Sequence, residues 1–193
     1  MPTGVHLRDV RAQLFDAAER VLLRGGPSAL TSRAVTDEAG CAKGVLHKHF
    51  TDFDGFLTEL VLDRIAQVHA LSDTLAASAG TGSVVDNVCS ALHDVFTSVA
   101  ISIVALITFR DELRTRLRTA RPGTGVPLAS DAARMLARYL TAERTLGRLT
   151  PNADVDTLAP TLVGAGHLHF ADRSTEASSL RPMVAAVLSG VLA

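Results

Sequence analysis

The chain has 193 residues, of which 47% are hydrophobic, 20% charged and 4% aromatic, with no Trp and one Tyr. That apolar share supplies a core and excludes wholesale disorder, and the length allows one compact domain or a small domain joined to a larger one. Nineteen Lys and Arg against 20 Asp and Glu leave a net charge of −1, which argues against nucleic acid coating the whole chain but not against a local basic patch.

Helical periodicity begins at the N-terminus. Leu7, Val10, Leu14, Ala18, Val21 and Leu22 recur at steps of three and four, with Arg8, Arg11, Asp16, Glu19 and Arg20 on the other face. Gly25-Gly26-Pro27 should stop this helix. Thr31 or Ser32 can N-cap a second, short helix ending at Gly40, and a third is predicted from about Ala42 to Phe50. Thr51-Asp52 then caps a long segment through Phe56, Leu60, Ile65 and Leu71 to about Ala77. Ser78 to Ser83, rich in Gly and Ser, is a break. Val84 to Arg118 reads as more helix, with a kink or boundary around Ser98 to Ser102, and Arg121 to Pro127 is a second loop. Leu128 to about Leu146 and Val155 to Phe170 are helical, separated by a turn from Gly147 to Asn152. Ser174-Thr-Glu-Ala resembles an N-cap for a final helix, with Pro182 placed early, where a missing N–H costs least. No segment alternates at period two, so the expected fold is all-α.

Cys41 and Cys89 are too few for a disulfide framework or a Cys₄ zinc site and are expected as reduced thiols. Charges occupy the N-terminal positions where a signal peptide has its apolar stretch, and the longest nearly apolar run, Val99 to Ile107, falls short of the roughly 20 residues of a membrane-spanning helix. The expectation is a cytoplasmic protein without a membrane segment.

The most informative stretch is Thr31 to Phe50, TSRAVTDEAGCAKGVLHKHF. Two short helices meeting at Gly40, where the turn needs a left-handed backbone, fit a helix-turn-helix. Val35 and Ala39 can pack on Val45 and Leu46, leaving Lys43, His47, Lys48 and His49 exposed and Gly44 open to close approach. Lodged in a major groove, such a helix presents its N-terminal residues to base edges and its lysines to phosphates. Residues 1–50 carry seven cations against five anions, an excess of two. An ordinary helical hairpin with solvated charges has the same spacing, so spacing alone leaves both readings open.

Ala17-Ala18, the GG break, Thr31, and AVTDEAGCAKGVLHKHF followed by Asp54 and Phe56-Leu57 resemble the TetR (tetracycline repressor) family of transcription factors over about residues 7 to 60. The segment from Tyr139 to Asp154 is similar to that family's connection into its dimerising helices. The resemblance implies an N-terminal three-helix DNA-binding domain, residues 1–50, and a larger helical bundle for ligand binding and dimerisation, residues 51–193. It also implies a homodimer that binds a palindromic double-stranded operator and is released by a small molecule. Carried over by position, Lys43, Gly44, Val45, His47 and Lys48 lie at the DNA, with Thr31, Ser32 and Arg33 contacting from the preceding helix; His49 is a phosphate-facing candidate. This chain departs from the family pattern at His47, where Tyr is usual, at Ala42, where a small hydroxyl residue is common, at Phe53, where Lys is usual, and at Thr36, where Ala is preferred.

Behind the N-terminal helices, Phe96, Ile103, Ile107, Phe109, Met135 and Tyr139, with Cys89, His93 and His167 as polar companions, are candidates to line an effector pocket; simple core packing is the alternative for each. Their character favours an apolar or amphipathic ligand. Leu158, Leu162, Val163, Ala165 and Gly166, with Val184, Val187, Leu188 and Val191, are candidates for a dimer interface through the last two helices, or else for the chain's own core. No metal or other cofactor is expected. The pairs His47/His49 and His167/His169 project about 200° apart on a helix and make poor chelates, and no H-E-x-x-H or C-x-x-C accompanies them. No nucleophile elbow surrounds Ser28, Ser72 or Ser98. The glycines at 80–82 and 123–125 lie between helices and follow no strand. Asp111-Glu112 with Arg110, Arg114, Arg116, Arg118 and Arg121 read as a solvated face with local ion pairs, or as a second nucleic-acid patch. The sequence points to a ligand-responsive DNA-binding regulator, a repressor by preference; the competing class is a helical enzyme or carrier whose N-terminal helix pair is only structural.

Overall fold

The computed structural model describes residues 4–96, 99–171 and 180–193, with side chains from Val10 onward. In chain order its helices are α1 (Gly4–Ala29), α2 (Ser32–Glu38), α3 (Gly44–His49), α4 (Phe53–Ala77), α5 (Val84–Phe96), α6 (Ala100–Phe109), α7 (Asp111–Ala120), α8 (Ala129–Thr145), α9 (Val155–Ala171) and α10 (Leu180–Leu188). The described residues include no strand; a lone antiparallel bridge joins Leu149 to Leu192. None of these helices is by itself long and apolar enough to cross a membrane. The N-cap expected at Ser174 lies outside the described residues, as does Ser98.

Two compact units divide the chain: residues 1–63 with 102–123, and residues 64–101 with 124–193. The first takes in the start of α4, most of α6 and all of α7, joined by charge and aromatic packing at the start of α4. Arg116 grips Asp52 through Nη1 and Nη2 at 2.8 and 2.9 Å, and Arg110 Nη2 reaches Asp54 at 2.9 Å. Beneath them Phe15, Phe50, Phe53 and Phe56 form a ring cluster with centroids 5.0–5.8 Å apart. Such pairs add about 0.5–1.5 kcal/mol each beyond the area they bury.

α1 breaks where its glycines predict: Gly26 has φ +70° and ψ −174°, outside any helical geometry. The long stretch expected from Val84 to Arg118 is three helices. Its unforeseen break is Arg110, extended at φ −119° and ψ 101°, after which Asp111 and Glu112 sit in the first turn of α7. Acidic residues are favourable there because they face the positive end of the helix dipole.

In the second unit α5 packs on α9 and α10, and α8 packs on α9. Gly166 makes the α5–α9 approach close: a Cβ there would stand 3.0 Å from Phe96 Cε2 and 3.2 Å from Leu92 Cδ2. Two buried carboxylates brace the unit. Asp131 accepts from the Leu128 N–H at 3.2 Å and lies 3.1 Å from His69 Nε2, with Arg134 also bound to it. Leu128 itself holds φ +72°, rare for a side chain of its size. Glu143 accepts from the Gly80 N–H at 3.3 Å and from Arg148 at 3.3 Å. Tyr139, which also bonds Glu143, accepts from Asn87 Nδ2 at 2.9 Å. Burial first, and then the bond to Glu143, push the Tyr139 hydroxyl well above its ordinary pKa.

Of the apolar residues offered for dimerisation, five lie in this chain's own core, while Leu158, Ala165, Val187 and Val191 are half-buried. Leu162, Val184 and Leu188 are fully buried and Val163 and Gly166 nearly so, because they face α5, α8 and each other. The outward residues of these helices include Thr157, Thr161, Gly164 and Leu168 on α9, and Pro182 and Ala186 on α10.

Candidate nucleic-acid interface

The turn between α2 and α3 is built as its sequence requires. Thr31 sits extended at the N-cap of α2, and its Oγ1 accepts from the Ala34 N–H at 3.1 Å, a contact worth about 1 kcal/mol. Gly40 adopts φ +65°, and the Cys41 N–H reaches back to the Thr36 carbonyl at 3.0 Å. Thr36 is buried, yet its hydroxyl is satisfied by donating toward the Ser32 and Arg33 carbonyls, both at 3.1 Å. A hydroxyl can therefore stand at this helix crossing without an unpaired polar atom. Val35 and Leu46 are fully buried and Ala39 nearly so, while Val45 is half-buried. Burial also raises the Cys41 thiol pKa.

α1 holds this pair in place through its polar face. Gln13 Nε2 donates to the Ala39 carbonyl at 2.9 Å. Arg11 donates to the His49 carbonyl at 3.1 Å, stacks 4.4 Å above the Phe50 ring and pairs with Glu59. Arg20 and Arg24 both bind Glu38 at 2.8 Å, and together they hold its carboxyl below the usual range. Arg33 lies 3.5 Å from Asp37.

These pairings separate two kinds of cation. Arg11, Arg20, Arg24 and Arg33 are matched by carboxylates, whereas among the described residues neither Lys43 nor Lys48 is. No Asp or Glu occurs between Ala39 and Thr51. Lys43, Gly44, His47 and Lys48 are exposed, His49 is half-buried, Thr31 and Arg33 are exposed, and Ser32 is half-buried. A Cβ at Gly44 would meet nothing within 4 Å, so the start of α3 is open. α3 therefore offers unneutralised positive charge beside an unobstructed backbone, the arrangement that polyanion contact requires.

The residues expected around an effector are divided between the two units. Ile103 and Ile107 are buried in the first unit, where Phe109 is 81% exposed. Met135 and Tyr139 are buried on α8 in the second. What the second unit brings together is a ring group on α5 and α9: Phe96 stacks on Phe170 at 5.8 Å, His167 meets Phe96 at 6.0 Å, and His93 meets Phe170 at 6.1 Å. Cys89 is half-buried on the same α5, its thiol pKa raised by burial and then by the Asp86 charge. No group of three His, Cys, Asp or Glu side chains placed to hold a metal ion occurs among the described residues.

Sequence reasoning missed the work done by Arg110 and Arg116, which was expected to be local. Their partners lie 56 and 64 positions away, beyond any spacing rule. The Arg116 bidentate bond, followed by the Gly55 N–H, lowers the Asp52 carboxyl pKa. Only the Asp52 side of this geometry was legible, as the N-cap that accepts from Gly55 at 2.7 Å.

Residues 14–60 match the family model described as bacterial regulatory proteins, tetR family. No curated protein matches the chain. Among solved structures, a TetR-family transcriptional regulator from Agrobacterium tumefaciens superposes with a TM-score of 0.74 at 13% identity, over 97% of this chain and 100% of that one. The reduced form of Escherichia coli NemR gives 0.73 at 17% identity, over 94% and 97%. Bacillus subtilis FadR in complex with stearoyl-CoA gives 0.66 at 16% identity, over 93% and 98%. At such identities the likeness is one of fold. Over its helix-turn-helix, residues 14–60, this chain thus matches the tetR family of bacterial regulatory proteins, on a fold it shares with tetR-family regulators over nearly its whole length.

Proposed function

We propose that the protein is a cytoplasmic, ligand-responsive transcriptional repressor, without catalytic activity, that binds a palindromic operator as a homodimer. The observation that carries the reading is the uncompensated charge of Lys43 and Lys48 on the exposed face of α3, whereas Arg11, Arg20, Arg24 and Arg33 are matched by carboxylates among the described residues. Lys43, Gly44, Val45, His47 and Lys48 are proposed to enter the major groove, with Thr31, Ser32, Arg33 and His49 at the flanking phosphates. The homodimer is proposed to use the outward residues of α9 and α10, among which Leu168 is 73% exposed, since Leu162, Val184 and Leu188 are already buried within this chain. Small outward residues such as Gly164 and Ala186 suit the close approach of two such helix pairs.

The proposed effector is a small apolar or amphipathic molecule touching the ring group of His93, Phe96 and His167 or the exposed Phe109. Bacillus subtilis FadR, seen with stearoyl-CoA, and NalD, a secondary repressor of a Pseudomonas aeruginosa multidrug efflux pump, lend this support as proteins of the same fold. An effector that binds one arrangement of the protein better than another lowers operator affinity by that difference.

A gel shift with DNA upstream of the protein's own gene tests the reading. We expect a shift that weakens steeply with salt, and Lys43→Ala and Lys48→Ala each reducing the slope of log K against log salt by about one. Failure to retard any upstream fragment at low salt overturns it.

A further inference from the structure

We infer that a cleft in the first unit, formed by the α1–α2 connection and α6, binds a small amphipathic carboxylate. The inference rests on the ligand-responsive reading above and gives it a place: against the DNA-binding helices themselves. The cleft measures about 580 Å³ and is lined by Leu30, Thr31, Ala105, Leu106, Phe109 and Arg110 among others. That volume lies within the 300–1,000 Å³ usual for small-molecule sites, and an apolar wall with a few polar groups is their usual make-up. A second cleft, between α4 and α5 around Asn87, measures about 170 Å³ and is too small for the same role.

Phe109 marks the site. It is 81% exposed, whereas Phe15, Phe50, Phe56 and Phe96 are at most 7% exposed. A bare aromatic ring on the wall of a cleft of this size gains by being covered. Arg110 sets the chemistry. No carboxylate lines the cleft, and the guanidinium, with five N–H donors, spends one on Asp54. A carboxylate head meets Arg110 on the same terms as Asp54, so an anionic amphipath seats its chain on Phe109 and Leu106 and its head at Arg110. Thr31, on the same wall, caps α2. An occupant therefore touches the cap of one DNA-binding helix and competes for the arginine that holds the start of α4.

Isothermal titration of the full chain with octanoate and with octan-1-ol, in the absence of DNA, tests this. Octanoate should bind more tightly than the alcohol, Phe109→Ala should weaken both at least tenfold, and Arg110→Gln should abolish the preference for octanoate. Phe109 is exposed, so its truncation leaves the fold intact, which circular dichroism checks. Absence of binding at millimolar octanoate, equal affinity in Phe109→Ala and the parent, or a preference that survives Arg110→Gln overturns the proposal. Because DNA takes no part, a chain that binds octanoate through Phe109 but shifts no operator fragment fails the functional reading and keeps the site; the converse result does the opposite.

Discussion

Exposed ion pairs occur in both units, but among the described residues only the second buries carboxylates. In the first, Asp52, Asp54, Glu38 and Glu59 meet Arg116, Arg110, Arg20, Arg24 and Arg11 at a surface still open to water, above an aromatic cluster. In the second, Asp131 and Glu143 are almost wholly excluded from solvent, and their partners converge on them from α4, α8 and the neighbouring loops. Exposed pairs contribute little apiece, are screened by salt and exchange partners readily. A buried carboxylate is expensive to leave unpaired and so fixes a geometry. The first unit is thus built to be adjusted and the second to stay as it is.

Substitutions can break this contrast. The largest effect is expected from Glu143→Ala, which removes the acceptor of Arg148, Gly80 and Tyr139 together. Chemical denaturation should show a loss of about 3 kcal/mol, and a loss below about 1 kcal/mol would mean that the second unit does not depend on its buried charge. Gly166→Val should cost about 2 kcal/mol by forcing Phe96 and Leu92 aside, read from the same transition.

Smaller, and of a different character, is Asp52→Asn. Its folded-state pKa is depressed by Arg116, so the carboxylate stabilises the protein above the unfolded value of about 3.9 and that stabilisation fades as pH falls through the lower folded value. The variant should melt about 2 °C below the parent at pH 7 and low salt, with the gap closing toward pH 3 and in 0.5 M salt. A gap independent of both would place Asp52 among rigid rather than adjustable contacts. Smallest in stability is Lys48→Ala, which should leave the melting temperature unchanged while altering the salt dependence of DNA binding.

How much of this was legible follows from the range over which each interaction acts. The helix-turn-helix could be read because its determinants are local: Gly26 and Gly40 need positive φ, and Thr31 caps a helix three residues away. The break at Arg110 was not, since the partner that draws it out of the helix lies at Asp54. The stripes on α9 and α10 were correctly apolar but could not say what covers them; a buried Leu162 facing α5 and α8 has the same sequence signature as one facing a second subunit. The candidate pocket has the same ambiguity, and the exposure of Phe109 could not be foreseen because exposure, unlike hydrophobicity, is a property of the assembled chain.

The lone tyrosine has a further consequence. With no tryptophan in the sequence and Tyr139 sealed in the core with its hydroxyl committed to Asn87 and Glu143, the molecule is optically quiet when excited at wavelengths absorbed by indole. A single indole introduced at Phe109 or at His47 would report from one place against a dark background, so that occupancy of the α6 cleft is followed in one variant and arrival of DNA at α3 in the other.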